Sequence, residues 1–303
     1  MKVVSLFVVA SAAASASASF DLLYVADRGN DMIHRFDGGS RAYLGSIGGG
    51  GMLNNPAGVY ADASNGRLVV TAENGTFQFD LWNGALLNAV GFYAGGHITK
   101  AHGSYTFNTN FNVNYLGAVV PNVDGWYGAP SLPLSATYTA TAFRNNVLAT
   151  VHGGTNWREY SYTALFGAAT LTRSVTLAAP ATGQIAMSQT SNLHLAASGT
   201  TNQVISASTS SNFSSTFNIP NISVVKGVAF GHGDTFYTCG TVSAGNGLVQ
   251  VMNTNIGYGL GTFGAGILSD PVAISTIIAP EPSSLFAMAA GALLLRRRRK
   301  SVH

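Results

Sequence analysis

The sequence predicts an all-β fold: a six-bladed β-propeller closed by its N- and C-terminal strands, with a signal peptide before it and a hydrophobic helix after it. Three observations predict this fold. Short segments rich in β-branched and aromatic residues recur, each with a glycine- or asparagine-bearing turn. Two distant passages match at a multiple of the length of a four-stranded blade. No apolar period of about 3.6 residues, the mark of a helix, is sustained between the two ends.

The composition is compatible with one large exported domain, predicted over residues 19–278. The chain has 303 residues, of which 47% are hydrophobic and 9% charged, whereas about 25% charged is usual. Serine, threonine, asparagine and 36 glycines supply the polarity instead. A single cysteine excludes a disulfide framework and a cysteine-rich zinc site.

The strongest internal repeat joins the two ends of the predicted domain. LGSIGGGGMLNNP ends at Pro56, and LGTFGAGILSDP ends at Pro271, so the two prolines are 215 residues apart. That distance is five periods of 43 residues, and a repeat of about 40–45 residues is typical of a propeller blade.

Weaker copies fill the interval between these passages. Each has a short strand, a turn and a second strand with alternating side chains. They begin at Arg67, Val147, Leu193 and Thr235. The gap between the first two of these starts requires one further unit, which the segment from Gly103 can supply.

The first unit resembles an NHL repeat. The strand element Tyr24–Asp27, the turn residue Asn30, and the alternating Ile33 and Phe36 carry the resemblance, which extends over about 65 residues. Later units lack an aspartate equivalent to Asp27, so the resemblance implies a propeller rather than membership of that family.

The incomplete first and last units predict how the ring closes. No proline-led strand precedes Leu22, and no unit follows the proline-led segment 270–277. Pairing Pro271–Ile277 with Leu22–Ala26 would complete one blade and remove two exposed sheet edges, which are aggregation hazards.

Residues 1–18 have the pattern of a secretory signal peptide. Lys2 is the positive start, Val3–Ala14 is the apolar stretch, and Ala16 and Ala18 form an A-x-A cleavage site. The predicted destination is therefore outside the cytoplasmic membrane.

Residues 279–303 resemble a PEP-CTERM sorting signal. Pro280, Glu281 and Pro282 precede a short predicted transmembrane helix, residues 283–295. A basic stop run follows: Arg296, Arg297, Arg298 and Arg299. The resemblance implies recognition of Pro280–Pro282 by a membrane-embedded exosortase, transient membrane insertion, and release to the cell surface or outside. A plain C-terminal anchor is the alternative.

The charge pattern argues against a nucleic-acid partner. Lys2 and the run Arg296–Lys300 hold six of the 15 basic residues, and residues 3–295 hold the other nine together with all 12 acidic residues, a net charge of −3. Binding to a phosphate backbone requires a basic patch, and the body shows none.

No motif in the body predicts a catalytic, cofactor or metal site. His152, His194 and His232 recur near the first strand pair of successive units, and His97 and His102 flank Lys100, but polar turn or core roles explain them as well. Glu73 and Glu159 are the only glutamates of the body before the tail, so no carboxylate pair of a glycosidase stands out. Cys239, in a strand-like segment, is expected to be buried.

The tryptophans are the remaining candidates for a binding site. Trp126 and Tyr127 lie in a predicted glycine- and proline-rich loop, where exposed aromatic rings could stack on sugars, although a loop aromatic packed against its own blade is the favoured interpretation. Trp82 and Trp157 are the other two tryptophans.

Together these observations predict an exported, non-catalytic propeller of the cell envelope or extracellular matrix that binds a polysaccharide or a surface protein. One alternative is an extracellular propeller enzyme, a metal-dependent hydrolase or lyase with an axial active site. Another is a purely structural coat component. Fold alone does not choose among them.

Overall fold

The computed structural model of the chain describes residues 19–90, 96, 98–100, 106–110, 115–119, 126–127, 138–161, 170–188, 192–208, 210, 214–242, 246–254 and 257–280. All of these lie in strands, turns or irregular segments, so the described part of the chain is all-β, as predicted. It contains no helix that is long and apolar enough to span a membrane. The predicted signal peptide and the predicted helix 283–295 lie outside the described residues.

Internal contacts divide the chain into two units. The larger unit is Asp21–Ile277 and contains the sheets discussed below. The smaller unit, Met1–Phe20 with Ile278–His303, lies almost entirely outside the described residues.

The described residues form 24 strands. In chain order they are β1 (Ser19–Asp27), β2 (Met32–Asp37), β3 (Tyr43–Ile47), β4 (Gly58–Asp62), β5 (Arg67–Ala72), β6 (Gly75–Asp80), β7 (Leu86–Val90), β8 (Ile98–Lys100), β9 (Thr106–Asn110), β10 (Tyr115–Val119), β11 (Trp126–Tyr127), β12 (Tyr138–Arg144), β13 (Val147–His152), β14 (Asn156–Ser161), β15 (Thr170–Thr176), β16 (Ile185–Met187), β17 (Leu193–Ala197), β18 (Gln203–Ser208), β19 (Ser214–Asn218), β20 (Val224–Phe230), β21 (Thr235–Thr241), β22 (Gly247–Asn253), β23 (Gly259–Phe263) and β24 (Pro271–Pro280).

These strands form the four-stranded sheets of a β-propeller. The sheets β4–β7, β8–β11, β12–β15, β16–β19 and β20–β23 keep their strands in chain order, and the remaining sheet has the order β24-β1-β2-β3. The last strand therefore lies beside the first, as the incomplete terminal units predict.

Five blades are described with side chains on all four strands, rather than the six blades that the repeat predicts. The sheet β8–β11 accounts for the difference. Its strand pairing is described, but Ile98 is the only one of its strand side chains that is described. Its backbone still forms a four-stranded sheet, and β8 contacts both β4 and β12.

Four of the predicted repeat starts mark the second strand of a blade, and the fifth, Gly103, lies outside the described residues. Arg67, Val147, Leu193 and Thr235 begin β5, β13, β17 and β21. The middle strands are buried on both faces because each blade packs between two others, whereas outer strands such as β3 and β23 are mostly exposed. Position within the blade, not simple alternation, therefore decides burial.

Aromatic and aliphatic side chains fill the spaces between blades. Trp157 packs with small residues such as Ala196 between the blades β12–β15 and β16–β19. Phe36 and Phe263 lie with their ring centroids 5.2 Å apart between the first and last blades. The first strand of a blade contacts the first strand of the next from β4 through β20, so these inner strands surround the axis.

Candidate functional site

Gln184, just before β16, ties three inner strands together. Its Nε2 donates to the carbonyl oxygen of Ile274 at 2.9 Å. Its Oε1 accepts from the backbone N–H groups of Ile274 at 2.9 Å and Val228 at 3.2 Å. Buried N–H groups need partners, so this side chain fixes β16, β20 and β24 around the axis.

Two hydroxyl groups of β24 make similar bridges. Ser275 Oγ accepts from the N–H of Ala61 in β4 at 3.0 Å. Thr276 Oγ1 donates to the carbonyl oxygen of Phe230 in β20 at 2.5 Å. The closing strand is thus bonded to both neighbouring inner strands as well as paired with β1.

The inner strands enclose an axial cavity of about 180 Å³. Its walls come from β4, β8, β12, β16, β20 and β24 and are mainly apolar, with Phe143, Met187 and Ile274 among them. The polar wall residues are Tyr60, Thr141, Gln184, Ser275 and Thr276. Among the described wall residues there is no carboxylate, lysine, arginine or histidine.

A second cavity, of about 160 Å³, lies near the starts of the inner strands. We call it the mouth; its walls are Arg28, Ala57, Thr182, Gly183, Gly199, Lys226 and Val272. A Cβ on Gly183 would lie 2.5 Å from the carbonyl oxygen of Lys226. Glycine therefore lets the walls approach more closely than another residue would.

Arg28 and Lys226 share one carboxylate beside the mouth. Arg28 donates to Asp270 Oδ2 from Nε at 3.0 Å and from Nη2 at 2.8 Å, and Lys226 Nζ donates to Asp270 Oδ1. Burial raises the pKa of Asp270, but the hydrogen bonds from Lys226 and Arg28 outweigh it and lower the pKa overall. The carboxylate is therefore ionised, and Arg28 Nη1 points to no described acceptor.

Asp27 holds the chain in place behind this ion pair. Its fully buried carboxylate accepts from the N–H groups of Ser269 and Asp270 at 2.7 Å, from Gly29 at 3.0 Å and from Asn30 Nδ2 at 2.9 Å. Burial raises the pKa of Asp27, and the hydrogen bonds from His34, Ser269 and Asp270 lower it more. The end of β1 thereby positions Asp270 at the start of β24.

A buried polar cluster lies away from the axis, between two blades. The rings of Trp157 and His194 stack with centroids 5.2 Å apart. Glu159 Oε1 accepts from Trp157 Nε1 at 2.9 Å and lies 3.3 Å from His194 Nε2. Burial raises the pKa of Glu159, and the nearby His194 ring together with the hydrogen bond from Trp157 lowers it below its usual value. Trp157 and His194 are each 1% exposed, so this cluster is part of the core.

The histidines that recur in the sequence do not converge. His152 and His194 are buried in different blades, and His232 is exposed in a turn. His97 and His102 lie outside the described residues. No three histidine, cysteine or carboxylate side chains in the described ranges are grouped so that they could hold a metal ion.

Cys239 is fully buried, as expected, in the cluster between the first and last blades. Burial raises the pKa of its thiol, with Asp27 as a smaller contribution. A thiol in this environment is not a nucleophile.

The predicted binding and sorting residues fall mostly beyond the described side chains. Trp126 and Tyr127 form β11, described as backbone only, and Pro280 is the last residue of β24. Outside the described residues lie Ala16, Ala18, Glu281, Pro282, Arg296, Arg297, Arg298 and Arg299. Of the other tryptophans, Trp157 is buried and Trp82 is 53% exposed.

Sequence reasoning missed the residues of the mouth, although one signal pointed to them. The predicted pairing of Pro271–Ile277 with Leu22–Ala26 places the residues that follow Ala26 beside the residue that precedes Pro271. Arg28 and Asp270 are those flanking residues. Lys226 and Gln184 carried no comparable signal because a neighbouring blade supplies each of them.

No family model and no curated protein matches the chain. Among solved structures, the chain is similar to one from the crystal structure of a nidogen/laminin complex, with a TM-score of 0.64 and 12% identity, over 84% of this chain and 98% of that one. It is also similar to the dihydro-heme d1 dehydrogenase NirN in complex with DHE, with a TM-score of 0.51 and 9% identity, over 84% and 74% of the two chains. At these identities the likeness shows the fold alone.

Proposed function

We propose that this chain is an exported, non-catalytic β-propeller that binds a carboxylate-bearing polymer at the mouth. The observation that carries the proposal is the pair of cations, Arg28 and Lys226, that line this cavity and share the single carboxylate of Asp270. An incoming carboxylate can accept from the donors that Asp270 leaves free, because guanidinium and ammonium groups have five and three N–H bonds.

The distribution of charge supports this site. Residues 3–295 have a net charge of −3, so two cations at one cavity are not a property of the whole surface. The carboxylates of Asp270 and of the buried Asp27 balance their charge, and the Asp27 oxygens are already occupied by backbone N–H groups. Arg28 is 47% exposed at its side chain and Lys226 is 20% exposed, so both can be reached from solvent. Partial burial strengthens their interaction with a ligand relative to fully exposed pairs.

An acidic polysaccharide of the envelope or matrix is the proposed ligand. A polymer rich in uronic acids presents many carboxylates, any one of which can bind to Arg28 and Lys226 at the mouth. The similar propeller from a nidogen/laminin complex makes an acidic protein segment the second candidate.

The proposed route to that location uses both ends of the chain. Residues 1–18 would direct export, and Pro280, Glu281 and Pro282 would be recognised by an exosortase-type enzyme after transient insertion of residues 283–295 in the membrane. The strand β24 ends at Pro280, so such processing would leave every described strand in the product.

Binding of polygalacturonate to the purified protein, measured by titration calorimetry, tests the function. Lys226→Met removes one charge and keeps the apolar stem, and is expected to weaken binding about tenfold, since charge-assisted hydrogen bonds contribute about 1.5–3 kcal/mol. Arg41→Gln is the matched control, because it removes one charge from an exposed arginine that bonds to Leu260 in the last blade. Dextran, a neutral polymer, is expected not to bind.

Three outcomes would count against the proposal: equal binding of dextran, equal losses in Lys226→Met and Arg41→Gln, or no binding of polygalacturonate. Binding of poly-glutamate in its place, with the same loss in Lys226→Met, would assign the mouth to a protein partner.

A further inference from the structure

The axial cavity contains one buried hydroxyl group without a partner. Thr141, in β12, is 2% exposed and lines this cavity. Among the described residues its Oγ1 has no hydrogen-bond partner. Leaving a buried hydroxyl unsatisfied is unfavourable, so an unpartnered hydroxyl at a cavity wall indicates a position where a ligand atom can bond.

Three of the other polar side chains of the wall are already engaged in hydrogen bonds. Ser275 accepts from Ala61, Thr276 donates to Phe230, and Gln184 bonds to Ile274 and Val228. A buried water usually needs two to four polar partners. The described wall is mainly apolar, and Thr141 Oγ1 is a buried hydroxyl oxygen on it without a partner, so an organic molecule with one polar group matches this surface.

The wall chemistry and the volume define the class of ligand. The described wall residues carry no charge, and burying an ion there without a partner would be costly. A cavity of about 180 Å³ compares with an apolar cavity of about 150 Å³ that binds benzene. The ligand is therefore about the size of one aromatic ring, uncharged, and has one hydrogen-bonding group.

We propose that the axial cavity binds a small uncharged molecule with an apolar body and a single hydroxyl group, and that Thr141 Oγ1 hydrogen-bonds that hydroxyl. The apolar body lies against residues such as Met187 and Ile274. This site is separate from the mouth and does not depend on the function proposed for Arg28 and Lys226.

The test compares 4-fluorophenol with fluorobenzene, which has the same ring without the hydroxyl. Fluorine NMR titrations of the purified protein are expected to show saturable binding of both at one site, with 4-fluorophenol about five- to tenfold tighter, the contribution of one hydrogen bond. Thr141→Val has nearly the same shape without the hydroxyl and is expected to abolish this preference. Thr141→Ser keeps the hydroxyl and is expected to retain it.

Thr150→Val is the matched control. Thr150 lies opposite Thr141 in the register of β12 and β13, is fully buried, and also has an unpartnered Oγ1, but it does not line the cavity. This variant is expected to keep the preference, and thermal unfolding of both valine variants confirms that they are folded. A nuclear Overhauser effect from the ligand ring to the Met187 methyl group locates the site.

The proposal is overturned if neither ligand binds, if the two bind equally, or if the preference survives in Thr141→Val. It is also overturned if Thr150→Val removes the preference to the same extent.

Discussion

The aspartates near the start of the domain show how one residue type serves local and distant contacts. Asp37 accepts from the N–H groups of Gly39 and Ser40, the local turn capping that the sequence predicts. Asp21 instead accepts from the N–H of His232 and from the Tyr237 hydroxyl, more than 200 positions away in the chain. The local pattern predicted the first role; the second depends on ring closure, which places another blade beside this strand.

His152 is the residue at which acid is expected to act first. Burial, together with the charge of Arg158, lowers its pKa from 6.5 to about 4. The unfolded chain therefore binds a proton between pH 6.5 and 4 that the folded chain does not. The free energy of unfolding is expected to fall as the pH falls through this window, by on the order of 3 kcal/mol. Urea unfolding at pH 7 and pH 4.5 measures this loss.

His152→Gln removes the titrating group and keeps a hydrogen-bonding partner for Tyr160, which lies 3.2 Å from His152 Nε2. This variant is expected to lose less stability between the two pH values than the wild type. His232→Gln, at an exposed turn residue, is the control and is expected to behave like the wild type. Identical slopes in His152→Gln and the wild type would contradict the assignment.

At the scale of the strand, the repeated Leu-Gly pair has a structural meaning that the sequence did not reveal. Gly45 and Gly261 have φ values of +109° and +136°, and the pairing of each outer strand with its neighbour skips Leu44 or Leu260. These are β-bulges, which twist an exposed edge and discourage pairing with another chain. The exposed leucines of the outer strands therefore mark protected edges.

The sequence predicted the strand order within blades better than it predicted the residues around the two cavities. Repetition of short strands and turns is a local signal, and it placed β5, β13, β17 and β21 correctly. Arg28 and Asp270 are 242 positions apart and Gln184 bonds to a residue 90 positions away. Such contacts follow from the curvature of the whole ring, which no local pattern encodes.

Strand β24 is expected to be essential for the first blade. Ending the chain after Ser269 removes Val272, Ala273, Ile274 and Ile277, all buried, and leaves the edge of β1 unpaired. Burying one large aliphatic side chain contributes about 1.5–3 kcal/mol. The loss of several is therefore comparable with much of the free energy of unfolding of a typical domain. We expect loss of the cooperative thermal transition and self-association, measured by circular dichroism and light scattering.

A chain ending at Pro280 retains every described strand and is the control. It is expected to unfold cooperatively and to remain monomeric under the same conditions. Cooperative unfolding of the chain ending at Ser269, at the same temperature as this control, would show that β24 is dispensable.

Across the whole molecule, the few cations are placed mainly where blades meet. Four arginines donate to a backbone carbonyl of a neighbouring blade: Arg35 to Trp82, Arg41 to Leu260, Arg144 to Ser188 and Arg173 to Ser208. Arg28 and Lys226 differ because they line a cavity. The few charges therefore matter to the fold, because most of the described cations either bond one blade to the next or line a cavity.

The processing of the chain is expected to be visible in its mass. Removal of residues 1–18 and cleavage near Pro280–Pro282 would shorten the 31.3 kDa chain at both ends. Intact-mass spectrometry of the protein from an exosortase-containing host measures this, and Glu281→Ala is expected to retain the C-terminal segment. A full-length mass for the mature protein would contradict both cleavages.

Because the last strand completes the first sheet, that sheet stays incomplete until the chain is almost fully synthesised. Strands β1–β3 are made before the other described strands, yet their fourth partner begins more than 220 residues after β3 ends. At about 5–20 residues per second this delay is roughly 10–50 s. Throughout that interval the nascent chain presents an open edge, so a holding chaperone, or the same edge of a second nascent chain, competes with the strand that has yet to be synthesised.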